Sequence, residues 1–111
     1  MPKGYMISAH RSEADPDKRA AYLELAGPAI IAAGGRFLAG GDSRIVAKEN
    51  GVAQRTVLIE FDSFDAAMVA YESEAYQKAL EALSGGADRD VRLFEGISAK
   101  REGGALREKQ N

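Results

Sequence analysis

The sequence predicts a small α+β domain, a four-stranded antiparallel sheet with helices on one face. Two periodicities alternate along it: apolar residues recur every second position in four short runs, and every third or fourth position in the segments between them. The order of these runs is strand, helix, strand, strand, helix, strand. Its 111 residues are enough for one core and no more.

In the first run Tyr5, Ile7 and Ala9 alternate with Met6, Ser8 and His10, the pattern of a half-buried strand. Asp15-Pro16 then supplies a helix cap followed by proline at the first helical position, where a missing N–H costs nothing. Tyr22, Leu25, Ala26, Ala29, Ile30 and Ala33 form one stripe of that helix; Gly27-Pro28 predicts a kink and Gly34-Gly35 the end. A second strand covers 36–39 and is expected to continue through 44–47 beyond a bend at Gly40-Gly41. Asn50-Gly51 signals a hairpin into a third strand over 55–61. Ser63 caps a short helix bearing Phe64, Ala67, Met68 and Tyr71, and Ser73 caps another bearing Tyr76, Ala79, Leu80 and Leu83. The last strand covers 91–95. The folded domain therefore spans 1–97, and the charged, aperiodic stretch 98–111 reads as a tail that is mobile or draped on a partner.

This β-α-β-β-α-β order is the split βαβ of ferredoxin-like folds, and it is expected here with the first and third strands central and parallel. Two helices cover one face of such a sheet. The more apolar set belongs under them: Tyr5, Ile7, Ala9, Phe37, Ala39, Val57, Ile59, Phe61, Val91 and Leu93. The uncovered face would then carry Met6, Ser8, His10, Arg36, Leu38, Thr56, Leu58, Glu60, Arg92 and Phe94, too apolar to lie in water and too polar for a core. A second copy closing over it resolves both problems, so a homodimer through the uncovered sheet face is expected.

Composition removes whole classes of function. There is no cysteine, hence no disulfide, thiol catalysis or zinc ribbon, and a single histidine forbids a multi-histidine metal site. No bound cofactor or metal is expected. Fifteen basic against seventeen acidic residues argue against a phosphate-gripping nucleic-acid binder, and no apolar run approaches the roughly 20 residues of a membrane span. The N-terminus lacks the apolar core of a signal peptide, so a cytoplasmic location is expected. The third strand carries Val57, Leu58 and Ile59 where an RNA-recognition motif needs exposed aromatics. The glycine pairs lack the lysine and hydroxyl of a phosphate loop, and Asp88, Asp90 and Glu95 do not match a calcium loop. Tyr22, Tyr71 and Tyr76 sit on helical stripes and read as core.

The runs from Gly34 to Gly41, Arg55 to Phe61 and Ser73 to Gln77, with the opening Gly4-Tyr5 and the Asp15-Pro16 helix start, resemble a small bacterial family of unknown function in the dimeric α/β-barrel superfamily. The likeness covers roughly residues 4 to 97. It implies a ferredoxin-like protomer whose sheet packs face to face with that of a second copy, among relatives that include cofactor-independent monooxygenases and lactone isomerases. The chain departs from the family at 48–52, which lacks the aromatic usual there.

With parallel central strands, His10 and Glu60 would meet at one end of the sheet, joined by Arg36 and by the start of the last strand. A histidine beside a carboxylate serves as general acid or base near neutral pH. His10 and Glu60 are therefore the candidate catalytic pair, and Arg36, Ser8 and Arg92 the candidate substrate-binding residues, an arginine gripping an enolate or carboxylate in a bidentate way. The bland alternative has Arg36 and Glu60 neutralise each other under an interface. The function expected is binding or transformation of a small organic molecule by acid/base chemistry of monooxygenase or isomerase type. Its rival is a non-catalytic regulatory or interaction module of the same fold, with no pocket beside His10.

Overall fold

The structure, a computed structural model, describes residues 1–98; the expected tail therefore lies, from residue 99 on, outside them. The strands are β1 (Gly4–His10), β2 (Arg36–Ala39), β3 (Thr56–Phe61) and β4 (Arg89–Glu95). The helices are α1 (Pro16–Ala32), α2 (Phe64–Glu72) and α3 (Glu74–Leu83). The sheet runs in the order β2-β3-β1-β4, and each neighbouring pair is antiparallel. The ferredoxin-like architecture is as the periodicities predict.

The helix caps form where the sequence places them. Asp15 accepts hydrogen bonds from the amides of Asp17 and Lys18, Ser63 from Ala66, and Ser73 from Tyr76. Helix α1 continues through Gly27-Pro28 as one element, and Gly34 beyond its end takes a φ of 90°, a conformation costly for any side chain. Gly4 is required for another reason: a Cβ there would strike the Ser63 carbonyl, where the chain enters α2 against β1.

Three expectations are corrected. The central strands β1 and β3 are antiparallel, not parallel, with Tyr5 opposite Glu60 and Ala9 opposite Thr56. The cause is topological: α1 returns the chain so that β2 runs in the direction of β1, and β3 then reverses it. Second, β1 presents its other edge to the helices. Met6, Ser8 and His10 are buried beneath them, while Tyr5, Ile7 and Ala9 lie on the uncovered face. Alternation defines two faces but not which is inside, and register decides it: Met6 lies opposite both Ile59 and Leu93. Third, residues 44–47 form no strand. The Asn50-Gly51 turn closes, with the Gly51 amide on the Lys48 carbonyl at 2.8 Å, but its flanks are unpaired and 40–55 is one long connection.

The core is Met6, Ala26, Ala29, Ile30, Ile59, Phe61, Ala67, Ala70, Tyr76 and Ala79. Helix α2 lies on β1, β3 and β4, whereas α1 packs chiefly on α3. That asymmetry leaves a space between α1 and the β2–β3 side of the sheet.

Candidate functional site

This space is a cavity of about 400 Å³, within the range of small-molecule sites. Met6, Leu23, Ala26, Ile30, Val57 and Ile59 form its apolar walls. A bulge between Phe37 and Ala39 breaks the alternation of β2, so Phe37, Leu38 and Ala39 all border the opening. Leu38 therefore belongs to the cavity rather than to the uncovered face alone.

One end of the cavity is polar and cationic. Arg19 comes from the first turns of α1, Arg55 from the residue before β3, and Arg89 from the start of β4. The Arg89 guanidinium lies 4.9 Å from the centre of the Tyr22 ring and donates to the Tyr22 hydroxyl and to Ser8 Oγ, both at 3.2 Å. The Tyr22 and Tyr76 hydroxyls are 2.7 Å apart. Burial first, and Tyr22 second, raise the Tyr76 pKa, which keeps that phenol protonated. Among the described residues no carboxylate forms an ion pair with Arg19, Arg55 or Arg89. Three half-buried arginines thus converge on one end of the cavity with no acid to neutralise them.

His10 stands at this end, 7% exposed, opposite Arg89 in the β1–β4 ladder, and its amide donates to the Arg55 carbonyl. It lines a second pocket of about 350 Å³ with Glu13 and Gln54; Arg19 and Arg55 border both spaces. Burial lowers the imidazole pKa below 6.5, and the charges of Arg89, Arg55 and Arg19 lower it further. At neutral pH the ring is therefore uncharged and able to accept a proton.

The expected pairing of His10 with Glu60 does not occur. Glu60 lies opposite Tyr5, five residues from His10 along β1, roughly 17 Å at strand spacing, and on the other face. There it accepts from the Tyr5 hydroxyl at 3.1 Å and from Arg36 Nε at 3.1 Å. Arg36 also pairs with Asp62 at 3.1 Å, and Glu60's hydrogen bond raises the guanidinium pKa above its ordinary value. Arg92 grips Asp90 through two contacts of 3.0 Å, also on the uncovered face, and its hydrogen bond lowers the Asp90 carboxyl. Of the five expected site residues, Ser8 lines the cavity and His10 lines the adjoining pocket that shares Arg19 and Arg55 with it; Arg36, Glu60 and Arg92 form ion pairs elsewhere.

Arg19, Tyr22, Arg55 and Arg89 are site residues that sequence reasoning passed over. One signal was available: Arg19, Tyr22, Leu23 and Ala26 share a helical face. Reading Tyr22 as core hid it. Among the described residues no group of His, Asp or Glu side chains is placed to hold a metal ion, and no helix is long and apolar enough to cross a membrane.

The chain belongs to the family described as a domain of unknown function, DUF1330, which matches residues 3–97. None of the curated proteins matches it by sequence. Among solved structures it is similar to RPA0582, a protein of unknown function from Rhodopseudomonas palustris, with a TM-score of 0.66 at 16% identity over 87% of this chain and 84% of that one. It is also similar to SnoaB, a cofactor-independent oxygenase from Streptomyces nogalater, with a TM-score of 0.53 at 13% identity over 88% and 95%. A Caulobacter crescentus protein provisionally named an antibiotic biosynthesis monooxygenase gives a TM-score of 0.54 at 13% identity over 87% and 91%. At these identities the likeness is one of fold.

Proposed function

We propose that the cavity under α1 takes a small organic molecule bearing negative charge, and that His10 exchanges a proton with it. The observation that carries this reading is the convergence of Arg19, Arg55 and Arg89, all without carboxylate partners, on one end of an apolar cavity. Their charge attracts an anion and stabilises one that develops during reaction, as donors aimed at an enolate do. The neutral imidazole beside them is the base for an acidic C–H. An enolate formed in this way is reprotonated elsewhere, an isomerisation, or meets dioxygen, an oxygenation. The fold shared with a cofactor-independent oxygenase supports this class of chemistry.

The same reading has the protein act as a homodimer in the cytoplasm. Tyr5, Ile7, Ala9, Leu58 and Phe94 lie on the uncovered face, with Phe94 45% exposed. The correction of β1 makes this face more apolar than expected, which strengthens the case for a second copy over it.

The test uses phenylpyruvate, an anion with an acidic benzylic C–H. Protein in D₂O should speed deuterium uptake at that carbon, and His10→Gln should abolish the acceleration while the probe still binds. Gly27→Leu should abolish binding, since a Cβ at Gly27 meets open space on the cavity wall. Binding without accelerated exchange would favour the non-catalytic module, and binding unaffected by Gly27→Leu would rule out the cavity as the site.

A further inference from the structure

Resting on that reading, we infer that the cavity recognises its ligand through a donor-rich subsite, the hydroxyls of Tyr22 and Ser8 beside Arg89. The group they bind is a planar oxyanion, a carboxylate or enolate, on an apolar body. The argument is a count of protons. Tyr76 is 1% exposed, and its hydroxyl must give its proton to an acceptor; the Tyr22 oxygen at 2.7 Å is the one that the hydrogen bonds of the described residues provide. Arg89 is a donor only, so it cannot serve.

Tyr22 oxygen then receives two protons, one from Tyr76 and one from Arg89 Nη1 at 3.2 Å. Both of its lone pairs are used, and its own proton must point elsewhere. No acceptor among the described residues takes it, and Tyr22 lines the cavity. Ser8 follows in part: its Oγ accepts one proton, from Arg89 Nη1 at 3.2 Å, its own proton has no acceptor among the described residues, and it too lines the cavity. The reverse assignment, with Tyr22 donating to Tyr76, would leave the spare proton on the more deeply buried of the two phenols, which borders the same cavity at only 1% exposure.

Around Arg89 the polar end therefore offers mainly O–H and N–H protons: both lone pairs of Tyr22 are used, and Ser8 keeps one. An ammonium would meet the guanidinium of Arg89 with little to accept its protons. A neutral amide fills part of the site but brings more protons than the single Ser8 lone pair can accept. A carboxylate or enolate accepts from every donor and neutralises the arginines as well. The walls of Met6, Leu23, Ala26, Ile30, Val57 and Ile59 leave the rest of the ligand no hydrogen bonds to make, so its body is hydrocarbon or aromatic.

The test compares isosteric pairs by ligand-observed NMR: benzoate with benzamide, and hexanoate with hexanamide. In the wild-type protein the carboxylate of each binding pair should bind at least about tenfold tighter than its amide. Tyr22→Phe should cut that preference by about tenfold and leave amide affinity within about twofold. Because Tyr22→Phe strands the Tyr76 proton, the Tyr22→Phe/Tyr76→Phe double variant is measured beside it and should show the same loss of preference. Equal affinity for carboxylate and amide, or an equal loss of both in the tyrosine variants, would overturn the inference while leaving the cavity as a ligand site. Failure of every probe to bind would overturn the ligand reading and this inference with it.

Discussion

At one end of the sheet, on its uncovered face, Arg36 holds Glu60 and Asp62, Lys3 approaches Asp62 at 3.6 Å, and Tyr5 completes the Glu60 carboxylate. At the other end, under the helices, Arg19, Arg55 and Arg89 surround a cavity with no acid among them. Both regions gather positive charge around arginine at an end of the sheet, yet only the first is electrically closed. A closed cluster has its partners in the fold and asks for nothing more. An open one, its charge unmatched within the fold, is poised for an anion from outside.

The largest effect should come from the face that carries the closed cluster. Leu58 lies there opposite Ile7, and Leu58→Asp should convert the proposed dimer of twice 11.9 kDa into a monomer by light scattering, because it would set an unpaired charge under the second copy. A wild-type protein already at 11.9 kDa would remove the second copy from the account. At the open cluster, Arg89→Met should weaken carboxylate binding by at least about tenfold without lowering the thermal midpoint, since an apolar side chain replaces a desolvated, acid-free cation. Arg36→Met should leave the same affinity unchanged. Equal losses in the two variants would erase the distinction between the clusters.

A smaller effect separates the clusters by pH. The pKa of His10 is lowered in the folded chain, so between pH 7.5 and 5.5 the unfolded chain takes up the proton first, near 6.5. Stability is therefore full above that value and falls with pH below it. Thermal midpoints should decline across this window in the wild type and stay level in His10→Gln, because the sequence holds one histidine. The smallest effect belongs to Glu60→Gln, which removes one charge but keeps an oxygen to accept from Tyr5 and Arg36; it should lower the thermal midpoint only slightly and leave ligand affinity unchanged.

Much of this fold is legible in the sequence. The caps at Asp15, Ser63 and Ser73 and the apolar stripes of the helices mark the elements in order, because capping and amphipathicity are local. Strand direction is not local. Taking β1 and β3 as parallel brought His10 to Glu60, whereas the antiparallel ladder sends His10 to Arg89 and Arg55 and leaves Glu60 with Arg36. The choice of face failed for a related reason. Ser8 and His10 look like solvent residues beside Ile7 and Ala9, yet the register that sets Met6 against Ile59 and Leu93 carries them to the covered side, where Ser8 meets the polar end of the cavity. Arg36 with Glu60 was readable as a neutralising pair because β2 and β3 are joined in sequence. The trio Arg19, Arg55 and Arg89 comes from three separated segments, and no spacing rule unites them.

The single histidine also provides the most direct probe of the central claim, that the arginine cluster at the cavity stays open until an anion enters. Its imidazole proton signal can be titrated by NMR in the free protein and again in the presence of saturating benzoate. The free ring should titrate below 6.5, held down by burial and by Arg89, Arg55 and Arg19. With the carboxylate bound among those arginines, the midpoint should rise, since the ligand's charge offsets the field that disfavours imidazolium. A midpoint at or above 6.5 in the free protein, or one that does not move when benzoate is bound, would contradict the account.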